Sequence, residues 1–111
     1  MASLVEELIT VLEEEEKIYR QLIGYGQQKT DVLILADVPG LEKITCKEQL
    51  ASDELVSHSN RQIQLLKDIA TVLGKTEEKM TVSRLISLLD SQPKVQKRLT
   101  DTRDRLLSAA N

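Results

Sequence analysis

The chain has 111 residues, a net charge of −3 and 41% hydrophobic residues, a length that fits one domain with one modest core. Leu, Ile and Val number 18, 8 and 8, against two Tyr and no Phe or Trp, so the predicted core is aliphatic. This composition argues against aromatic stacking sites for single-stranded nucleic acids and against aromatic cages for quaternary amines.

The single cysteine and the distribution of charge narrow the class of protein further. One cysteine excludes an internal disulfide and a cysteine-rich zinc site, and it suits a reducing compartment. The net charge is −4 over residues 3–36, −2 over residues 37–92 and +3 over residues 93–111, which argues against duplex DNA as a partner. No apolar run approaches the roughly 18 residues that span a bilayer, and the acidic amino terminus does not resemble a secretory signal. We therefore expect a cytoplasmic protein without membrane insertion and without a nucleic-acid partner.

The first predicted helix covers residues from about 3 to 36. Ser3 and Glu6 have the spacing of a capping box at its start. Gly24 and Gly26 each disfavour a helix interior by about 1 kcal/mol, so a bend or break there stays open, although the apolar stripe resumes in phase after them. The stripe consists of apolar residues at steps of three and four: Leu4, Val5, Leu8, Val11, Leu12, Ile18, Tyr19, Leu22, Tyr25, Val32, Leu33 and Ala36.

A second long helix is predicted from about residue 39 to residue 73. Asp37 is a plausible cap and Pro39 fits the first turn, while Gly74 suits the left-handed residue that ends a helix. A polar stretch around His58 weakens the seam of this helix. Its apolar residues keep heptad spacing on both sides of that stretch: Leu41, Ile44, Ala51, Leu55, Leu65, Ile69 and Val72.

A short helix from about 81 to 90 and a terminal helix from about 93 to 110 complete the predicted elements. No strand pattern competes with them. The sequence thus predicts one all-α domain over residues 1–111: an elongated antiparallel hairpin of two long helices, plus one short and one terminal helix that cover its seam. A helix of about 34 residues is roughly 50 Å long, so the molecule should be a rod.

No catalytic, metal or cofactor site is predicted. The glycines at 24, 26 and 74 lack the preceding strand and the full spacing of nucleotide-binding motifs. His58 and Cys46 are twelve residues apart, about 18 Å along one helix axis, which excludes a nucleophile pair within that helix. Glu15 falls on the apolar stripe and marks a thin or open layer of the bundle. The chain is therefore expected to act by binding and not as an enzyme.

The terminal helix is the predicted partner-binding element, because it is amphipathic to its end and has no glycine stop. An amphipathic helix commonly recognises another helix or groove, but the same pattern equally fits a helix that completes the core. The residues expected to bind a partner are Val95, Leu99, Leu106, Leu107 and Ala110, with Arg98 and Arg103 at the rim.

The order of these features resembles the flagellar export chaperones of the FlgN type over nearly the whole chain. Each motif is weak alone, and the inference depends on their order and gaps. The residues that carry the likeness are Leu4-x-x-x-Leu8-x-x-x-Leu12, Asp37-Val38 before Leu41, Lys47-Glu48-x-Leu50, Leu65-Leu66, Leu73-Gly74, Val82-Ser83-Arg84-Leu85-Ile86, and a last helix through Leu99, Arg103, Leu106 and Leu107 to Asn111.

The resemblance implies a cytoplasmic chaperone that binds hook-associated proteins, the subunits of the hook–filament junction, before their secretion. In that family the carboxy-terminal helical region holds the disordered carboxy-terminal tail of the substrate and prevents premature assembly. This implication assigns tail binding to the seven terminal-helix residues named above.

Two departures from the family pattern limit what carries over. Family members usually continue past the point that matches Asn111, so part of the binding helix is expected to be absent. The family contacts the export apparatus through a carboxy-terminal aromatic residue, whereas no aromatic residue follows Tyr25 here.

The rival interpretation is a structural coiled-coil module that only self-associates; a homodimer is also compatible with the chaperone interpretation.

Overall fold

The computed structural model describes residues 2–76 and 79–110. Within these ranges the chain forms four α-helices and no strand. The molecule measures 56 × 22 × 21 Å. The predicted elongated all-α fold, with two long helices, a short helix and a terminal helix, is therefore confirmed. The helices are α1 (Ala2–Ile34), α2 (Val38–Leu73), α3 (Val82–Ser87) and α4 (Pro93–Ala110).

The turn between the two long helices explains why α1 ends two residues before the limit expected from its pattern. Ala36 adopts a left-handed conformation with φ of 54°, and the Asp37 and Ala36 amides donate to the Val32 and Leu33 carbonyl oxygens at 2.9 and 3.1 Å. These two bonds satisfy the last carbonyls of α1 and end the helix. The Asp37 carboxylate then accepts from the Gly40 amide at 3.0 Å and caps α2, as predicted.

α1 is one continuous helix through Gly24 and Gly26, so the first helix is neither broken nor ended there. A Cβ atom added at either glycine would meet nothing within 4 Å. Each glycine therefore destabilises α1 only because glycine loses more conformational freedom on folding than other residues do.

Gly24→Ala and Gly26→Ala are each expected to raise the free energy of unfolding by up to about 1 kcal/mol, because alanine restricts the unfolded chain and meets no steric conflict. Gly74→Ala is the contrasting variant and should lower it by about 1–2 kcal/mol, since Gly74 has φ of 67°. Urea unfolding followed by circular dichroism measures all three. A destabilising Gly24→Ala would mean that another backbone approaches this part of α1.

The apolar core lies at one end of the rod. It combines the first half of α1, the second half of α2, and side chains from α3, α4 and the segments before and after α3. α1 packs against both α2 and α4. The buried cluster contains Val5, Leu8, Ile9, Leu12, Leu65, Leu66, Ile69, Ala70, Met80, Leu85, Leu89 and Leu99.

Among the residues that the structure describes, only α1 and α2 form the other end of the rod. α4 has 18 residues and α1 has 33, so α4 covers only the first part of α1. We call α1 residues 20–34 and α2 residues 38–56, with the turn between them, the open half of the hairpin. In the described ranges, no helix is both long and apolar enough to cross a membrane.

Candidate partner-binding surface

The position of α4 follows from its apolar stripe and its basic residues. Arg98 Nη1 donates to both carboxylate oxygens of Glu6, at 2.7 and 2.6 Å. Arg105 Nε lies 3.4 Å from Glu16 Oε1. Because the numbers on the two helices rise together, α4 runs parallel to α1 along its first half. Leu99, Thr102 and Ala109 are buried on the side of α4 that this contact covers.

The seven predicted binding residues do not share one open face. Leu99 is 0% exposed and belongs to the core, and Val95 and Leu106 are half-buried against that core. Leu107 is 53% exposed, and Ala110 is exposed as well. At Leu99, α4 therefore completes the core of its own chain. Whether the seven residues bind a partner stays a prediction.

The two arginines of the set are already engaged within the chain. Arg98 pairs with Glu6, while Arg103 is bonded to Asp104 at 3.0 Å and to Ser83 at 3.2 Å. The Glu16 carboxylate pairs with two arginines: Arg20 Nε lies 2.8 Å from Glu16 Oε2, and Arg105 contacts the other oxygen. The hydrogen bond from Arg20 is the main cause that lowers the pKa of the Glu16 carboxyl, and the hydrogen bond from Arg105 lowers it by a smaller amount. Exposed pairs of this kind each stabilise a fold only weakly, so apolar burial holds α4 on α1.

The open half of the hairpin is the exposed apolar surface that the sequence did not indicate. At the turn, Leu33, Ile34 and Leu35 are 59%, 77% and 75% exposed. Leu33 lies on the predicted apolar stripe of α1, but periodicity does not report how far a covering helix extends. A run of three large aliphatic residues beside a predicted turn was the available signal. The other exposed large apolar residues of the open half are Ile23, Val38, Leu50 and Val56.

Comparison with known proteins decides the family. The profile described as FlgN protein matches residues 1–111, the whole chain. The chain belongs to the FlgN family. This family consists of flagellar export chaperones, which gives the chain that general role. Neither the curated proteins nor the solved structures contain a match to it.

One layer of the hairpin of this FlgN-family chain carries a buried acid. Glu15 is 6% exposed, and its Oε1 has no hydrogen-bond partner. Burial raises the pKa of the Glu15 carboxyl, and the nearby His58 opposes that shift by a smaller effect. Glu15 therefore marks a polar layer that is closed and not open to solvent. A buried carboxyl oxygen without a hydrogen-bond partner makes this layer a weak point of the seam.

Cys46 and His58, the two other side chains that could act as a nucleophile or a metal ligand, lie apart on α2. Cys46 is exposed on α2, whereas His58 is half-buried in the α1–α2 seam. Among the residues that the structure describes, no three His, Cys, Asp or Glu side chains are grouped so that they could hold a metal ion.

Proposed function

We propose that this FlgN-family chain is a cytoplasmic chaperone that binds the disordered carboxy-terminal tail of hook-associated proteins and prevents their premature assembly. The observation that supports it is the family match over all 111 residues. The aliphatic composition is compatible with this role, because a flat aliphatic surface can bury apolar area without exact pairing of side chains. Such burial must offset the several kcal/mol that ordering a tail costs.

The proposed tail-binding element is α4, with its apolar residues as the contact and Arg98 and Arg103 at the rim. Leu107 and Ala110 are exposed and can contact a tail while α4 stays on α1. Leu99 is fully buried, so a tail reaches it only after α4 leaves α1. We therefore place the first contact of the tail at Leu107 and Ala110.

Calorimetry with a synthetic tail peptide of a hook-associated protein from the same genome tests this proposal. Leu107→Asp should weaken binding at least about tenfold, because the buried area of one leucine is worth about 1.5–3 kcal/mol. Leu50→Asp is the matched control, since Leu50 is a similarly exposed leucine, at 62%, on α2. It should bind the peptide as the wild type does.

The outcomes separate the function from the site. Absence of binding to every hook-associated tail would overturn the function, and a stable dimer without such binding would favour the self-association module. Tail binding that survives Leu107→Asp unchanged would overturn the assignment to the exposed end of α4.

A further inference from the structure

The seam between α1 and α2 contains a polar layer inside rows of apolar residues. On α1, Leu8 and Glu15 are seven residues apart, and on α2 the same spacing joins Ala51, His58 and Leu65. Residues seven apart lie on the same face of a helix, two turns from each other. Leu8, Ala51 and Leu65 are all buried. Glu15 and His58 therefore occupy seam positions whose neighbours along each helix are apolar.

The two side chains of this layer need each other for different reasons. Glu15 is 6% exposed, and its Oε1 has no hydrogen-bond partner, so an ionised carboxyl there has lost water without gaining a donor. His58 lies half-buried across the seam and is the one histidine of the chain. A protonated imidazole has a positive charge and two N–H donors, whereas a neutral imidazole has one donor and no charge. Only the protonated form can offset the charge of the Glu15 carboxylate.

The other charged side chains near this layer, on α1, α2 and α4, have partners of their own. They form the pairs Glu14–Lys17, Glu16–Arg20, Glu16–Arg105 and Glu7–Arg61. Tyr19 and Glu54 flank the layer, each one turn away along its own helix, and neither changes the pKa of the Glu15 carboxyl. Among the residues that the structure describes, His58 is the charged group that acts on that pKa, and it opposes the effect of burial.

We propose that Glu15 and His58 form a proton-dependent layer of the seam, which stabilises the hairpin when His58 is protonated and weakens it when His58 is neutral. Histidine is the side chain that changes its charge between about pH 5 and 8, so the layer responds in that range. The coupling is reciprocal: the Glu15 carboxylate favours the protonated imidazole by the same free energy by which the imidazolium favours the carboxylate. Two groups coupled in this way titrate as a pair. The hairpin gains stability as the pH falls and the pair takes up a proton, and it loses that gain as the pH rises.

The same pair favours one register of α1 against α2. A shift of α2 by seven residues in either direction would place Glu15 opposite Ala51 or Leu65 in place of His58. Neither of those side chains can donate a hydrogen bond or offset a charge. Polar residues at single seam positions fix the register of coiled coils for this reason.

A double-mutant cycle measured at two pH values tests the proposal. Urea unfolding of Glu15→Gln, His58→Gln, the double variant and the wild type gives the interaction between the two positions. At about pH 6 this interaction should stabilise the fold by about three- to tenfold in the unfolding equilibrium constant. At about pH 8.5 the imidazole is neutral and the interaction should fall below about twofold. A second cycle with His58→Asn should give the same dependence on pH.

The matched control is the same cycle with Glu14→Gln in place of Glu15→Gln. Glu14 is the preceding residue, but its side chain is 45% exposed and pairs with Lys17. Its interaction with His58 should stay below about twofold at both pH values. Glutamine is similar in size to glutamate and histidine, so circular dichroism should show the same helix content in every variant.

Each contrary result overturns a defined part of the proposal. No interaction between Glu15 and His58 at about pH 6 would overturn the pair itself. An interaction of equal size at both pH values would identify a packing contact and overturn its dependence on a proton. A Glu14 cycle that matches the Glu15 cycle would replace the buried layer by a general effect of charge. Calorimetry with the tail peptide reports the proposed function separately, because that assignment does not involve either residue.

Discussion

Leu99→Ala should lower the free energy of unfolding by about 2–5 kcal/mol, the range seen when a buried leucine is truncated and leaves a cavity. Leu99 is 0% exposed and belongs to the same buried cluster as Leu8 and Leu85. Among the described residues of α4, it is the one large aliphatic side chain that is fully buried. Its truncation therefore removes the main apolar contact that holds α4 on α1.

Leu107→Ala is the control for this experiment, because Leu107 lies on the same helix and is 53% exposed. It should change stability by no more than about 0.5–1 kcal/mol. Urea unfolding followed by circular dichroism suits the chain, which is helical and contains no Trp. If both variants lowered the free energy of unfolding equally, α4 would not pack against α1 in solution. The whole apolar stripe of α4 would then be accessible to a partner.

The expected loss also determines how tail binding should be examined. Small domains are stable by about 5–15 kcal/mol, so an aspartate at position 99 would bury a charge and risk unfolding the chain. A loss of tail binding in such a variant would not identify a contact. Exposed positions such as Leu107 avoid this ambiguity.

Glu15→Gln should raise the free energy of unfolding at neutral pH by about 1–2 kcal/mol, because it removes a buried carboxylate whose desolvation is poorly compensated. Burial is the main cause that raises the pKa of Glu15 above its ordinary value of 4.5. His58, which faces it across the α1–α2 seam, lowers the pKa by a smaller amount.

The sign of the pH dependence follows from that raised pKa. The folded state binds the Glu15 proton more tightly than the unfolded state does, so this group stabilises the fold fully below 4.5, the ordinary value. That contribution is lost as the pH rises through the raised pKa of the folded state. The difference in the free energy of unfolding between Glu15→Gln and the wild type should therefore be small at acidic pH and grow towards neutral pH.

Urea unfolding of both proteins at pH values from about 4.5 to about 7.5 measures this difference. Glu14→Gln is the matched control, since its carboxylate is 45% exposed and pairs with Lys17 at the surface. It should change stability by no more than about 0.5 kcal/mol throughout. An advantage of Glu15→Gln that is constant across this range would contradict a buried, titrating carboxyl in the seam.

The predicted partner-binding residues show where sequence reasoning stops. The spacing of Leu99 and Leu106 correctly indicates the apolar side of α4, but a periodic stripe does not reveal whether α1 or another protein covers it. Leu99 faces the core, whereas Leu107, one position after Leu106, is exposed. The exposure of Ile23 and Ile34 does not follow from the pattern of α1, because it depends on which helices pack against this part of it.

The sequence by itself determined that the chain is helical, where its long helices turn, and that its core is aliphatic. The reason is local: apolar spacing, the Asp37 cap and the left-handed Gly74 act within a few residues. Only the tertiary structure decided that α4 lies parallel to α1, that Glu15 is enclosed and that the far half of the hairpin is uncovered. Those features depend on which helix faces meet and on how far an 18-residue helix covers one of 33 residues, and neither follows from the pattern of a single helix.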